Sequence, residues 1–261
     1  MIPKIIHYCW FGNNTKPEII KKCIDSWHKF CPDYQIIEWN ESNFDVTINR
    51  YVKEAYESKK WAFVSDYVRL FVLYKYGGIY LDTDCEVLKN LDVFLNHDGV
   101  IGGYEEDVYI STATMLSEKE NKWIKTLLDY YDDKQFVLSD GKYDLTTNTT
   151  VLTVLSMKRF GFNIGDDHIN FGNVKLYPSV YFAPLTKRKN DALNNKMSSF
   201  EIDDNKTYCI HHGTATWYKR NFKSKFKAFL VKIIRAFLGH KKYIKFKSMI
   251  VKKKFLKSNI S

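Results

Sequence analysis

The chain has 261 residues, 45% of them hydrophobic and 16% aromatic, which excludes a disordered or fibrous protein and predicts one sizeable globular domain, alone or with an appendage. The net charge of +10 comes from one end, because residues 219–261 hold 15 basic and no acidic residues and leave residues 1–218 with a net charge of −5. We therefore expect a mildly acidic body, 1–218, followed by a basic segment, 219–261.

The sequence shows no export or membrane-spanning signal. Its first residues lack the basic and long apolar regions of a signal peptide, and no apolar run reaches the roughly 20 residues that cross a bilayer. The five cysteines are widely spaced and form no CxxC pair, which favours reduced thiols over a disulfide framework or a zinc site. We expect a cytoplasmic protein.

Strands and helices are predicted to alternate along the body. Residues 4–12 and 34–39 are apolar strands on either side of a helix that starts near Pro17. Two helical stretches fill residues 51–76, and the second, WAFVSDYVRLFVLYKY, is apolar nearly all round and should be buried. Later segments are strands 79–81 and 100–105, helices 118–131 and 148–162, and extended segments 174–184 and 206–217. This order predicts an α/β fold with a largely parallel sheet.

The stretch YKYGGIYLDTDCE ends a predicted buried strand in two carboxylates, Asp82 and Asp84. Side chains two residues apart on an extended chain point the same way, so both can converge on one cation. Carboxylate oxygens suit Mg²⁺ or Mn²⁺, which share their coordination with substrate phosphates. A solvated turn remains the alternative for so short a motif.

Asp66 and Arg69 lie in the buried helix just before this strand. At a spacing of i, i+3 they share one face, and charged groups inside an apolar helix need partners. They can form a structural ion pair, serve a ligand, or do both.

The segment SDYVRLFVLYKYGGIYLDTD resembles the signature of the family 32 glycosyltransferases, whose sugar-binding region contains an Asp-x-Asp motif, and more distantly the glucosylating domains of large clostridial toxins. The blocks IPKIIHYCWFG, PDYQIIEWNESNFD, YPSVYFAP and HHGTATW resemble family blocks in the same order, so the resemblance covers most of residues 1–218. It implies a GT-A fold, a Rossmann-like α/β domain that binds a nucleotide-sugar with Mn²⁺ or Mg²⁺.

The resemblance also implies roles for individual residues. The donor-binding set is Cys9, Trp10, Asp66, Arg69, Tyr80, Asp82 and Trp217, and Asp66, Arg69, Asp82 and Asp84 are the catalytic set. Trp10 would stack on the nucleobase, and Trp217 would donate its indole N–H to the diphosphate. Asp84 and His212 would bind the metal, with the adjacent His211 as the alternative ligand.

Two features of the sequence limit this assignment. The family pattern reads Ser-Trp where this chain has Thr216-Trp217, and Ala215, at a position where toxin-like relatives have a metal-binding serine, cannot act as a ligand. The choice of donor sugar depends on the middle of the chain, around Tyr104, Glu105 and Asn148.

The basic segment carries apolar and aromatic residues at helical spacing between lysines, from Phe222 to Leu238, and a second such stretch from Lys241. A cationic amphipathic helix of this kind is typical of binding to an anionic membrane surface. The alternative is a helix packed on the body with a solvated basic face. Nucleic acid is not an expected partner, because the body has no recognition motif.

These inferences predict a retaining hexosyltransferase of the GT-A class that uses a nucleotide-sugar, most simply a UDP-sugar. Its acceptor would be a saccharide, lipid-linked, in surface or capsular polysaccharide biosynthesis, and the enzyme would sit peripherally at the inner face of the membrane. Two alternatives remain: another metal-dependent enzyme acting on nucleotides or phosphates, and a non-enzymatic basic membrane adaptor.

Overall fold

The computed structural model describes residues 1–105, 108–164, 170–184, 186–187, 199–214, 234, 238–256 and 260. The helices are α1 (Glu18–Phe30), α2 (Arg50–Glu57), α3 (Trp61–Tyr76), α4 (Lys122–Asp129), α5 (Asn148–Phe160), α6 (Ser179–Phe182) and α7 (His240–Leu256), with a 3-10 turn at Asp92–Phe94. The first strands are β1 (Ile5–Cys9), β2 (Gln35–Trp39), β3 (Gly78–Leu81), β4 (Cys85–Val87), β5 (Val100–Glu105) and β6 (Tyr109–Ile110). The later ones are β7 (Thr114–Ser117), β8 (Asn170–Phe171), β9 (Val174–Tyr177), β10 (Thr186–Lys187), β11 (Ser199–Phe200) and β12 (Cys209–His211).

The main sheet has the strand order β2-β1-β3-β7-β5-β9-β8, with β6 paired to β5. One half is parallel, because β1 pairs with β2 and β3 in the same direction, and β5 and β9 form another parallel pair. The α/β class is thereby confirmed, and the β1-α1-β2 unit with α3 leading into β3 is the Rossmann-like arrangement expected of a GT-A domain.

The expectation of a largely parallel sheet is wrong at its centre. Strand β7 lies between β3 and β5 and runs antiparallel to both. Only residues 106–113 connect β5 to β7, and a parallel return needs a crossover of about a dozen residues or more. The chain therefore turns back through the short β6 and makes the sheet mixed.

The two faces of the sheet pack against different apolar clusters. Along β3, Ile79 and Leu81 join a cluster with Trp27 of α1, whereas Tyr80 joins the larger cluster around α3. This alternation follows from the period of two along a strand, and it makes β3 buried on both faces, as its apolar sequence predicts. All five cysteines are buried with free thiols.

Helix α3 runs directly into β3 through the Gly77-Gly78 pair. Both glycines have positive φ, 67° and 99°, and a Cβ on Gly78 would lie 2.7 Å from the Ile5 carbonyl oxygen of β1. Glycine thus permits both the reversal of direction and the close pairing of β3 with β1. The turn sends α3 back along the sheet, so the start of α3 lies near the carboxyl ends of β1 and β3.

Helix α7 packs on the body with one face. Tyr243, Val251 and Phe255 are buried, and Lys252 Nζ donates a hydrogen bond to Asn163 Oδ1 at 3.1 Å. This matches the packed-helix alternative for that part of the basic segment. The domain boundary predicted at 218/219 and most of the stretch from Phe222 to Leu238 lie outside the described residues. Among the helices that the structure describes, none combines the length and apolarity needed to cross a bilayer.

Candidate active site

The candidate site lies at the carboxyl edge of the parallel half of the sheet, where open α/β sheets bind ligands. Asp82 and Asp84 follow β3 in a tight turn, closed by a 2.9 Å hydrogen bond from the Cys85 N–H to the Asp82 carbonyl. A turn thus replaces the extended geometry expected for this triplet. The carboxylates converge all the same: possible ligand atoms of Asp82, Asp84 and His211 all lie within 4.8 Å of one another.

Strand β12 brings a histidine to the two aspartates from far along the chain. It pairs antiparallel with β4, with His211 opposite Cys85, and His211 Nε2 lies 3.3 Å from Asp84 Oδ1. The next residue, His212, points elsewhere, because its Nε2 lies 3.0 Å from Glu86 Oε2. The geometry therefore favours His211 as the metal ligand. The ligand predicted from the sequence was His212, with His211 as the alternative.

Asp84 is the most strongly held carboxylate of the site. Besides the contact with His211, its Oδ2 accepts hydrogen bonds from the Thr214 N–H at 2.8 Å and the Thr214 hydroxyl at 2.9 Å. Burial alone would raise the pKa of Asp84, but the hydrogen bonds from His211 and Thr214 outweigh it and hold this pKa well below its usual range. Asp84 is therefore an ionised carboxylate that is almost fully buried.

Burial lowers the pKa of His211, but the hydrogen bond to Asp84 and its charge raise that pKa more, to about 9. The charges of Asp82 and of Glu105, at the end of β5, add to the rise. Carboxylates thus surround this imidazole on several sides, which makes the pocket strongly attractive to a cation.

Arg69 connects the helix α3 to the turn after β3. Its guanidinium lies 3.1 Å from Asp66 and 3.2 Å from Asp82, and it donates a hydrogen bond to the Thr112 carbonyl at 2.7 Å. It also lies over the Tyr80 ring, 4.7 Å from the ring centre. Burial lowers the pKa of Arg69. Asp82, Tyr80 and Asp66 raise this pKa by more than burial lowers it, so Arg69 stays charged. The sequence-predicted ion pair is present and extends to the Asp-x-Asp turn.

Asp66, on α3, is contacted by Asn148, the first residue of α5. The Asn148 side-chain amide donates to the Asp66 backbone carbonyl at 2.7 Å, and the Asn148 backbone lowers the pKa of the Asp66 carboxyl slightly. Burial raises the pKa of Asp66 to about 7, against the lowering by Arg69. Asn148 Oδ1 is buried and has no hydrogen-bond partner among the described residues. An acceptor beside Asp66 is consistent with the expectation that Asn148 takes part in the donor pocket.

Cys9 and Tyr80 support the site from beneath. Both are buried, and burial raises the pKa of the Cys9 thiol to about 12. Tyr80 is only 1% exposed, so its ring orients Arg69 from below and does not face the open side of the site. The donor-binding role predicted for these two residues stays a prediction.

Trp10 directly follows β1 and is half-buried at the same edge of the sheet. Its indole N–H donates to the Asn14 carbonyl at 2.7 Å, and Lys16 Nζ lies 5.5 Å from the ring centre. The ring is thus fixed near the site, as stacking on a base requires. Trp217, the predicted diphosphate donor, lies outside the described residues, as do Ala215 and Thr216.

The donor chemistry of Asp82, Asp84 and His211 fits a divalent cation. Two carboxylates and one imidazole supply hard oxygen and nitrogen ligands, and their spacing lets one ion reach all three. Sequence reasoning missed Thr214, although the Gly213 beside it, with φ 60°, marked a turn that could return this hydroxyl to Asp84.

Comparison with known proteins identifies the region around these residues. Residues 17–101 match the family described as glycosyltransferase sugar-binding region containing DXD motif. Over 103 residues the chain is 37% identical to inositol phosphoceramide mannosyltransferase 3 of Schizosaccharomyces pombe, which is 37% of this chain and 28% of that protein. A glycosyltransferase of Acanthamoeba polyphaga mimivirus, described as uncharacterized, is 24% identical over 267 residues, 95% of this chain and 98% of its own length.

Among solved structures, the PaToxG glycosyltransferase is similar with a TM-score of 0.46 and 23% identity, over 60% of this chain and 70% of that chain. The chain matches between 26% and 39% of the length of the fungal relatives, among them the mannosyl phosphorylinositol ceramide synthase CSH1 of Saccharomyces cerevisiae, which is matched over 26% of its length. The matched residues 17–101 include α1, α3, β3 and the turn that carries Asp82 and Asp84. The resemblance seen in the sequence is thereby confirmed: this chain contains a glycosyltransferase sugar-binding region with a DXD motif, and Asp82 and Asp84 are the two aspartates of that motif.

Proposed function

We propose that the protein is a retaining, metal-dependent glycosyltransferase that moves a hexose from a nucleotide-sugar to a saccharide acceptor. The observation that carries the proposal is the convergence of Asp82, Asp84 and His211 beside the Arg69–Asp66 pair. The two aspartates and the Arg69–Asp66 pair lie in the matched glycosyltransferase region, residues 17–101. A cation-binding group next to a fixed positive charge suits a diphosphate joined to a sugar.

Asp84 and His211, with Asp82 beside them, would hold a divalent cation, Mn²⁺ or Mg²⁺, which when bound neutralises charge on the departing nucleoside diphosphate. This assignment replaces His212 with His211. Thr214 keeps Asp84 ionised and fixed in direction through its two hydrogen bonds. Because the raised pKa places a proton on His211, the cation would replace this proton when it binds.

Arg69 and Asp66 would contact the donor sugar. Arg69 is held by two carboxylates and by the carbonyls of Ser65 and Thr112, so it can keep its position when a donor enters. An ionised Asp66 accepts hydrogen bonds from sugar or ribose hydroxyls, and Trp10 would stack on the base. The Trp217 indole N–H remains the predicted donor to the diphosphate.

The transfer step replaces one bond to the anomeric carbon by another on the same face. The bond from this carbon to the phosphate oxygen breaks, the bond to the acceptor oxygen forms, and the acceptor proton passes to the leaving phosphate. This front-face route is what the family resemblance implies, and a double displacement is the alternative route to retention. In both routes the chain orients donor and acceptor and excludes water.

The donor and acceptor are narrower proposals. A UDP-sugar is the predicted donor, and the mannosyltransferase names of the Schizosaccharomyces pombe relatives support including mannose donors in any test. Those relatives are named for inositol phosphoceramide, which supports a lipid-borne acceptor here. A role in surface or capsular polysaccharide assembly and a place at the inner face of a membrane stay predictions.

The test is donor hydrolysis and transfer measured against a panel of UDP- and GDP-sugars, with Mn²⁺ or with EDTA. We expect slow hydrolysis of one donor with Mn²⁺, none with EDTA, and loss of activity in His211→Gln. His212→Gln and the exposed control His28→Gln should remain active, since neither ring contacts the metal group. Hydrolysis of simple phosphate esters without preference for a sugar nucleotide would favour another phosphate enzyme. Absence of any sugar-nucleotide binding would contradict the proposal.

A further inference from the structure

Helix α7 has one face that is buried against the body and one that is exposed. The inner face is anchored, with Tyr243, Val251 and Phe255 buried and the Phe255 ring 6.1 Å from Tyr109 of β6. Lys252 adds a hydrogen bond to Asn163, just after α5. The helix therefore has a fixed orientation on the body, and its other face is held outward.

The outer face presents large apolar side chains. Phe246, Met249 and Ile250 are 45%, 64% and 53% exposed. Their spacing of i, i+3, i+4 puts them on one side of the helix, so they form a contiguous patch. A single exposed apolar side chain is ordinary, but three together on a docked helix indicate a contact surface.

Lysines frame this apolar patch. From 240 to 256 the sequence has seven lysines and no acidic residue. Lys242 precedes Phe246 by one helical turn and Lys253 follows Met249 by one turn, so both lysines lie on the same side of the helix as the apolar patch. Lys245 borders the patch. All three lysines are exposed. We call this surface, formed by Lys242, Lys245, Phe246, Met249, Ile250 and Lys253, the α7 outer face.

We propose that the α7 outer face binds the surface of a bilayer that contains anionic lipids, with Phe246, Met249 and Ile250 entering the interface between headgroups and acyl chains. Lysines around an apolar centre complement both layers of such a surface, the negative headgroups and the apolar chains below them. The proposal does not depend on the transfer reaction, and it differs from insertion of a free amphipathic helix because the inner face stays on the body.

Charge argues against the other occupants. Two copies of this face would bring lysines against lysines, which opposes a symmetric dimer. Nucleic acid would satisfy the lysines but leave three apolar side chains against a polar backbone. A bilayer surface is the partner that uses both parts.

The experiment uses the full chain and sedimentation with phosphatidylcholine vesicles, with and without phosphatidylglycerol. We expect binding to the anionic vesicles that weakens with salt, since the lysine contribution is screened. The variant F246S/M249S/I250S should lose binding about tenfold or more, because three apolar side chains leave the interface. The control V93S/L145S/I202S, with exposed apolar residues elsewhere, should bind as the unchanged chain does.

Two further arms separate the contributions. Replacing the lysines in K242Q/K245Q/K253Q should weaken binding to anionic vesicles by roughly fivefold per lysine close to the surface, and K21Q/K29Q/K119Q on the body should not. A Phe246→Trp variant should be quenched by brominated acyl chains more than the unchanged protein. Circular dichroism and donor hydrolysis without vesicles should match across all variants.

Equal vesicle binding by F246S/M249S/I250S and the unchanged chain would overturn the proposal, as would equal binding to vesicles without anionic lipid. So would the absence of quenching in Phe246→Trp at saturating vesicles. If light scattering shows a doubled mass that the substitutions in the α7 outer face abolish, this face binds a second copy of the chain. Tight RNA binding that the apolar substitutions do not alter would assign the face to nucleic acid. If the unchanged chain binds the vesicles but hydrolyses no sugar nucleotide, the result counts against the proposed transfer reaction alone.

Discussion

Two carboxylates on opposite sides of the candidate site are equally buried and behave in opposite ways. Asp66, on α3, is 9% exposed and Asp84, in the turn between β3 and β4, is 7% exposed. Burial raises the pKa of Asp66 to about 7, whereas the pKa of Asp84 lies well below its usual range. Burial alone therefore does not decide the charge of an aspartate; the number and direction of its hydrogen-bond donors do.

The difference divides the site into two functional sides. Asp84 receives three donors, from His211 and from both groups of Thr214, and stays ionised for a cation. Asp66 faces one shared guanidinium and titrates close to neutral pH. We therefore expect the Asp84 side to govern metal binding and the Asp66 side to govern donor binding as a function of pH.

The largest effect is expected from Asp84→Asn. The amide keeps the shape but removes the charge, so Mn²⁺-dependent donor hydrolysis should fall by roughly a thousandfold, the scale of losing a group that stabilises developing charge. Steady-state hydrolysis and Mn²⁺ binding by calorimetry measure it. Asp98→Asn, at an exposed position, is the matched control. Full activity in Asp84→Asn would break the proposed division of the site.

Arg69→Gln should cost about 3 kcal/mol of the free energy of unfolding at pH 8, because it leaves a buried Asp66 and a half-buried Asp82 without their shared cation. Urea denaturation measures this loss. Arg50→Gln removes a pair between the exposed Arg50 and the half-buried Glu54, and it should cost no more than about 0.5 kcal/mol. Equal losses in the two variants would show that Arg69 does not hold the two sides together.

Thr214→Val should weaken Mn²⁺ affinity about tenfold, because it removes the hydroxyl that orients Asp84. Thr214→Ser keeps the hydroxyl and should restore affinity to near the original value. Mn²⁺ titration followed by electron paramagnetic resonance measures the change without any need for turnover. Identical affinity in the valine and serine variants would remove Thr214 from the metal side.

The smallest effect concerns the pH dependence of donor binding. If ionised Asp66 accepts donor hydroxyls, then KM for the donor should rise about fourfold from pH 8 to 6.5, as a group with a pKa of about 7 gains its proton. In Asp66→Asn this rise should be absent, although KM is higher throughout. An unchanged pH profile in the variant would assign the titration to another group.

The same titration acts on stability in the opposite sense. The folded state keeps a proton on Asp66 that the unfolded state releases above the ordinary pKa of 3.8. The stabilising contribution of this proton is fully present below that pKa and is lost as pH rises through about 7. Urea midpoints of the unchanged chain relative to Asp66→Asn should therefore fall between pH 4 and 7 and then level off. A constant difference would contradict the raised pKa.

The parts of this site that the sequence predicts are local. A helix apolar on all sides, a pair of glycines and a short apolar strand determine α3 and β3 by near-neighbour rules, so Asp66, Arg69, Asp82 and Asp84 could be placed before the structure was known. The i, i+3 spacing also predicts the Asp66–Arg69 pair, which is 3.1 Å apart.

The parts that the sequence does not predict depend on long-range pairing. Which of two adjacent histidines faces Asp84 is set by the register of β12 on β4, and a shift of one residue would exchange them. Thr214 reaches Asp84 across 130 positions of the chain. The antiparallel β7 results from a connection too short for a crossover, in a region with weak periodicity. Apart from Gly213, which allows a turn beside Thr214, no local pattern encodes these contacts.

One divalent cation and a nucleoside diphosphate should bind together at Asp82, Asp84 and His211. Anomalous scattering at the manganese edge, from crystals grown with Mn²⁺ and UDP or GDP, tests this binding. We expect a single strong peak within coordination distance of Asp84 and His211, next to the diphosphate. A peak at His212 and Glu86, or none while the nucleotide is bound, would contradict it.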